Sequence, residues 1–262
     1  MNRPEGFPPG RPLLYAWRVF AKWLSFAVFG LGTVFLVTAL FPPLRFFLRP
    51  RRRFQRRARL LISRAFRLFI GFMTVLGVAR LEPGDREAYR NLAGKIVAAN
   101  HPSLLDVVTL ISLIPNANCL VRGSLKGTLV SGVIRQLYIP NNLGFARLVK
   151  ECAAALDEGD CLIIFPEGSR TPRTGKPVFK RGAARIALAS RRGIVPVHIG
   201  GADKYGLGKN DPWTAFNPRE RYVYRLRMLK ELSPDTYLAG PPSLGARRLT
   251  RELYRVLVEG PP

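Results

Sequence analysis

Ile96-Val97-Ala98-Ala99-Asn100-His101-Pro102-Ser103-Leu104-Leu105-Asp106 decides the fold. Four apolar residues run straight into a polar turn, and an apolar helical pattern follows. Cys161-Leu162-Ile163-Ile164-Phe165-Pro166-Glu167-Gly168-Ser169-Arg170 repeats the plan about 65 residues later. Short all-apolar runs bounded by turn residues read as strands buried on both faces. Around them, helices are expected over 103–114, 126–137, 145–158 and 180–192, and strands over 118–122, 138–140, 194–199 and 220–232. A helix over 244–259 closes the chain. Strands alternating with helices predict an α/β domain with a largely parallel sheet covered by helices. In such sheets the chemistry sits at the carboxyl ends of the strands, where both polar turns fall.

The formal charge is +25 over 262 residues, of which 47% are hydrophobic. That length suits one domain with an appendage, and the apolar content suffices for a sizeable core. The first 80 residues hold 15 of the 42 Lys and Arg against a single acid, Glu5. So basic a chain calls for a polyanionic partner, either nucleic acid or an anionic membrane surface. Residues 23–44 decide between them. They carry no charge, and as a helix they would measure roughly 33 Å, near the thickness of a bilayer core. Arg45, Arg49, Arg51, Arg52, Arg53, Arg56, Arg57 and Arg59 follow at once. Such a juxtamembrane cluster favours an anionic cytoplasmic leaflet, so the expected partners are anionic membrane lipids and not nucleic acid. The expected location is the cytoplasmic face of the inner (plasma) membrane. Val37-Thr38-Ala39 resembles a signal-peptide cleavage site, but the apolar run is too long and the arginines behind it oppose export.

This divides the chain into membrane-anchoring helices over 1–79 and a catalytic domain over 80–262. Trp17, Phe20, Trp23 and Phe26 recur every third residue and suit a helix at an interface. Pro42-Pro43 is expected to end the first helix. A second helix is expected over 54–79, and its uncharged part, 68–79, is too short to span. One span plus a surface helix, and a hairpin entering one leaflet, both satisfy the pattern. Cys119, Cys152 and Cys161 form no paired spacing and read as reduced, buried residues.

In the first polar turn Ser103 is placed to cap the following helix, and Asp106 lies three residues on. From there the Asp106 carboxylate can reach the His101 imidazole, fix its tautomer and leave the other nitrogen as a base. Backbone N–H groups at the helix start are expected to serve a developing oxyanion. Ser103-x-x-Asp106 reads equally as a plain capping box, with His101 an ordinary loop residue. The second turn favours catalysis. Pro166 and Gly168 permit a tight turn that brings Glu167 and Arg170 to the same sheet edge. Arg170 offers a planar fork for phosphate, and Glu167 accepts from hydroxyls. Lys176, Lys180 and Arg181 extend the basic loop. His198, inside a strand pattern, reads as structural. No spacing suits a metal, and a base with an oxyanion site needs none.

His101-x4-Asp106, Phe165 to Arg170, Phe179-Lys180-Arg181-Gly182-Ala183 and Val195-Pro196-Val197 together resemble the glycerolipid/lysophospholipid acyltransferase family. The bacterial 1-acylglycerol-3-phosphate acyltransferase is its best-known member. The resemblance covers about 78–200, with four motifs in the family's order. It implies transfer of a fatty acyl group from acyl-CoA or acyl-ACP, as co-substrate and not cofactor, to a lysolipid hydroxyl. It implies His101 as general base oriented by Asp106, with Glu167, Gly168, Arg170 and Lys180 on the acceptor side and Pro196 near the acyl chain. Arg122 stands where the family has a basic residue. One position departs: the acceptor motif usually ends in arginine, and Tyr138-Ile139-Pro140-Asn141 ends in Asn141. Arg135 is the nearest compensating arginine. The departure points to an acceptor other than plain lysophosphatidic acid. A thioesterase or lysophospholipase of the same layout, and a non-catalytic membrane scaffold, are the rival functions.

Overall fold

The computed structural model describes residues 12–121 and 137–260. Arg122, Arg135 and most of the helix expected over 126–137 lie outside them. Seven strands form one sheet: β1 Ala79–Glu82, β2 Ile96–Ala99, β3 Ala117–Val121, β4 Ile139–Pro140, β5 Cys161–Ile164, β6 Ile194–Gly200 and β7 Tyr222–Met228. Their order is β1-β7-β6-β2-β5-β3-β4. Every neighbouring pair is parallel except β6 and β7. The expected largely parallel sheet is thus present, with β1, which the sequence reading did not find, added at one edge.

The strands alternate as period 2 demands. Val97, Ala99 and Ile163 face one core with α3 Arg51–Val75, α4 Arg86–Arg90 and α5 Asp106–Leu113. Ile96, Ala98, Leu162 and Ile164 face the other, under α6 Phe145–Asp157, α7 Gly182–Ser190 and α8 Pro242–Tyr254. Covering both faces is what a parallel sheet requires, since its all-apolar strands have no solvent face.

The N-terminal helices depart from expectation in two ways. The helix does not stop at Pro42-Pro43. α1 Pro12–Phe35 runs through a wide π turn, Leu36–Leu40, into α2 Phe41–Phe47, which carries the prolines in its first turn. The π turn displaces the carbonyls with which the proline rings would clash, so the helix continues. The second helix, α3, is no independent surface element either. Phe54, Ala58, Ile62, Phe69, Ile70 and Met73 belong to the same core as Val97 and Ala99. Arg59 Nη2 pairs with Asp160 at 2.7 Å, just before β5, and both side chains are buried.

α1 lies along this assembly. Trp17 Nε1 donates to Leu76 O at 3.1 Å. Phe29 packs on Phe66 and Phe69, with centroids 5.7 and 5.1 Å apart. Phe41 packs on Phe54 at 6.2 Å. The stretch Pro12–Phe47 is long and apolar enough to cross a membrane. Its outer side leaves Leu13, Phe20, Leu31, Phe35, Phe46 and Phe47 exposed. The three cysteines are free and buried, as expected. Burial pushes the Cys119 and Cys152 thiols up to about 12.

Candidate active site

β2, β5, β3 and β4 run parallel, so their carboxyl ends share one edge of the sheet. His101 follows β2, Glu167 follows β5 and Asn141 follows β4. Asn100 fixes the first of these turns. Its Nδ2 donates to Ile199 O at 3.0 Å, and its Oδ1 accepts Ile199 N–H at 2.7 Å. The end of β2 is thereby clamped to β6.

His101 Nδ1 lies 2.8 Å from Asp106 Oδ2. The Asp106 side chain is 0% exposed and that of His101 16%. A buried carboxylate on Nδ1 selects the tautomer with the proton there, so Nε2 carries the lone pair. Nε2 has no hydrogen-bond partner among the described residues. Phe165 stacks on the imidazole at 4.1 Å between centroids and limits its rotation.

Ser103 does not cap the helix. α5 begins at Asp106, with Leu105 at the cap position and no side-chain cap. Asp106, at the first helical position, instead draws the turn onto itself. Its Oδ2 accepts Ser103 N–H and its Oδ1 accepts Ser103 Oγ–H, each at 2.6 Å. Ser103 Oγ also meets the Tyr224 hydroxyl at 2.9 Å. Lys204 Nζ sits 4.9 Å from the Tyr224 ring centre and donates to Gly200 O at 3.2 Å. Burial lowers the Lys204 ammonium to about 8, while Asp106 and other carboxylates oppose the fall. Tyr224 and Lys204 were invisible to sequence reasoning, because each arrives from far along the chain.

The N–H groups just before α5 are not open to an oxyanion. Ser103 N–H goes to Asp106, Leu104 N–H to Leu207 O at 3.0 Å, and Leu105 N–H to Ser103 Oγ at 3.2 Å. The expectation of free donors is corrected for these three. The first backbone bond into the helix is Thr109 N–H to Leu105 O at 2.8 Å, so any open donors lie within the first turn itself.

Glu167 comes to the expected edge, but half of it faces inward. Its Oε1 accepts His101 N–H at 3.1 Å and Thr171 Oγ–H at 2.7 Å. Thr171 N–H donates back to His101 O at 2.7 Å. Thr171, one residue beyond the motif, thus joins the two turns and was missed. Glu167 Oε2 is buried and has no hydrogen-bond partner among the described residues. Burial raises the carboxyl above its ordinary value, and the bonds from Thr171 and His101 oppose the rise.

Gly168 holds φ +68°, and a Cβ there would lie 2.9 Å from Lys180 Nζ. The flexible lysine end could give way, so it is the left-handed backbone that favours glycine there. The Arg170 fork is partly engaged: Nη1 donates to Leu207 O at 3.0 Å and Gly208 O at 2.7 Å. Asn141 N–H donates to Val121 O at 2.8 Å, fixing the backbone beyond β4. Pro196 is buried within β6, opposite Ala98. His198 Nδ1 meets Leu257 O at 3.3 Å, in keeping with a structural role, and burial lowers its pKa. Among the described residues no cluster of His, Cys, Asp and Glu suits a metal.

Residues 80–200, which hold the dyad and the turn joined to it, match the family model described as Acyltransferase. That region is thus similar to acyltransferases. A 1-acyl-sn-glycerol-3-phosphate acyltransferase of Helicobacter pylori is 30% identical over 150 residues, covering 54% of this chain and 60% of that protein. One of Cocos nucifera is 33% identical over 117 residues, covering 40% and 37%. The chain thus spans less than two thirds of the length of either relative. In fold it is similar to the 1-acyl-sn-glycerophosphate (LPA) acyltransferase PlsC from Thermotoga maritima. The TM-score is 0.60 at 20% identity, over 92% of this chain and 94% of that one.

Proposed function

We propose that this chain is a membrane-attached O-acyltransferase. It moves a fatty acyl group from acyl-CoA or acyl-ACP to the hydroxyl of a lysophospholipid-like acceptor. The observation that carries the reading is the His101–Asp106 pair at the sheet edge, with Nε2 unpartnered. The acceptor hydroxyl gives its proton to Nε2 as its oxygen attacks the thioester carbonyl. Asp106 holds the imidazole and stabilises the imidazolium that forms. The tetrahedral intermediate collapses, the C–S bond breaks, and the thiolate takes the proton from Nε2. The amides in the first turn of α5, Asp106 to Val108, are assigned to the oxyanion. Glu167 Oε2 is available to an acceptor hydroxyl, and Pro196 is assigned to the acyl side on the family resemblance.

His101→Ala is expected to lower transfer by roughly 10²–10⁴-fold with the fold intact. Product analysis with purified protein, acyl-CoA or acyl-ACP and a lysolipid tests this. Diacyl lipid from the wild type supports transfer, free fatty acid alone points to a hydrolase, and near-normal turnover by His101→Ala overturns the mechanism. The same assay across lysolipids addresses the acceptor. Asparagine bonds a phosphate but brings no charge and no planar fork. A lost charge-assisted contact costs about 1.5–3 kcal/mol, or roughly 10- to 100-fold in affinity. The wild type is therefore expected to prefer another lysolipid, and Asn141→Arg to shift it toward lysophosphatidic acid. A wild type that already strongly prefers lysophosphatidic acid refutes the inference from Asn141.

A further inference from the structure

The Asp106 carboxylate is wholly buried, and the directions of the hydrogen bonds around it are fixed. Its Oδ2 accepts from Ser103 N–H and faces His101 Nδ1. Its Oδ1 accepts the Ser103 hydroxyl at 2.6 Å. A serine hydroxyl has a single proton. With that proton on Asp106, Ser103 Oγ can only accept from the Tyr224 hydroxyl, 2.9 Å away. Leu105 N–H, at 3.2 Å, takes the remaining lone pair. The proton and both lone pairs of the serine hydroxyl are then used. The order of donation runs from Tyr224 to Ser103 to Asp106.

A buried cation stands at the far end of this chain. Lys204, in the loop after β6, holds Nζ 4.9 Å from the centre of the Tyr224 ring. The ammonium donates to Gly200 O at 3.2 Å and to Ala202 O, which fixes it beside the tyrosine. Of the carboxylates that favour its charge, Asp106 acts most strongly. A buried carboxylate is costly without a counter-charge, and neutral His101 gives Asp106 none. The other charged groups toward the pair, among the described residues, are engaged elsewhere. Glu167 Oε1 bonds the His101 N–H, and Arg170 Nη1 bonds Leu207 O and Gly208 O. From α3, Arg67 reaches α5 only at Ser112 O, 3.3 Å away at the other end of the helix.

We propose that Tyr224 and Lys204 are positioning residues for the proton transfer at His101. The tyrosine hydroxyl, acting through Ser103, keeps Asp106 Oδ1 occupied, so Oδ2 stays turned to His101 Nδ1. The ammonium balances the charge of the carboxylate. The assignment rests on the acyl-transfer reading above. A donor on Oδ1 disperses the negative charge of Asp106, and a nearby cation opposes a second one. Both disfavour the imidazolium, and so keep Nε2 free to take the proton of the acceptor hydroxyl.

The chain has two histidines, His101 and His198, so nitrogen-15 NMR of the full chain in lipid nanodiscs resolves each imidazole. Tyr224→Phe removes one buried oxygen. It should raise the pH at which the His101 ring is half-protonated by roughly half to one unit, the size of one hydrogen bond. The acid limb of the kcat/KM profile for transfer should move up with it. The His198 signal should stay in place, which also reports that the fold is kept. Ser103→Ala should cause at least as large a rise. Adding Tyr224→Phe to it should change nothing more, because the tyrosine acts through the serine. Lys204→Met should raise the His101 midpoint as well. An unmoved midpoint in Tyr224→Phe, additive shifts in the double variant, or a fall in Lys204→Met overturns the proposal. The expected NMR shifts without any acyl transfer would sink the transfer reading and leave the positioning role standing.

Discussion

At the scale of single residues, the site is built to hold one imidazole. Asp106 accepts a hydrogen bond from its Nδ1–H, Phe165 covers its face, and Glu167 with Thr171 holds its backbone. Glu167 carries a pH dependence. Burial raises its carboxyl above the ordinary 4.5, so the folded state binds a proton that the unfolded state has released. Where the native state binds more protons, stability falls as pH rises. The stability from neutral Glu167 is complete below the unfolded value and is lost as pH climbs through the raised one. Glu167→Gln keeps an oxygen for His101 and Thr171 and cannot ionise. Its melting temperature should decline less than that of the wild type as pH rises above about 4.5. Parallel melting curves of the two proteins across pH 4 to 8 would refute the assignment.

At the scale of elements, α3 is the least expected part of the molecule. Its arginines read as a membrane-facing run, yet Arg59 points inward. It bonds Asp160 and donates to Leu137 O at 3.4 Å, while Asn118 Nδ2 also donates to Asp160 at 3.2 Å. The pair ties α3 to the amino-terminal end of β5. Removing one partner of a buried pair leaves an uncompensated charge and costs about 3–5 kcal/mol. Arg59→Met should destabilise by that amount in urea unfolding. Arg59→Met with Asp160→Leu should recover most of it, because replacing both charges removes the desolvation penalty as well. A double variant no more stable than the single one would refute this account of the tie.

At the scale of the whole molecule, the arrangement of α1 bears on membrane attachment. A spanning helix is surrounded by lipid over its hydrophobic length. α1 instead packs sideways on α3 and on residues 213–215 between Trp17 and Phe29, and α2 continues the contact through Phe41 on Phe54. If the chain is membrane-attached as proposed, this packing favours a helix lying in one leaflet, with its outer side toward lipid and its inner side on α3. Leu31 and Phe35 lie on the outer side, 72% and 60% exposed. Leu31→Glu with Phe35→Glu should therefore release the protein from vesicles in a flotation assay and change its unfolding free energy by no more than about 1 kcal/mol, as surface changes do. Retention on vesicles would refute the one-leaflet reading. Deleting 1–79 is a poorer test, because it strips Phe54, Phe69 and Met73 from the core.

The sequence by itself determined the strands at 96–99 and 161–164, the polar turns after them, and the meeting of His101 with Asp106. Each depends on neighbours within a few residues, where period and spacing act directly. It also located the long apolar helix and the arginines behind it. Only the tertiary structure decided that Ser103 and Tyr224 support Asp106, that Thr171 joins the two turns, and that Arg59 belongs to the core. Tyr224 reaches Ser103 across 121 positions of sequence. No local pattern carries such a contact, because it exists only once β7 has paired with β6 and β1. The same holds for Pro42-Pro43: the rings do block an ordinary helix, but a π turn one step earlier removes the clash. Local chemistry therefore paired His101 with Asp106, while strand order and helix packing determined what holds them in place.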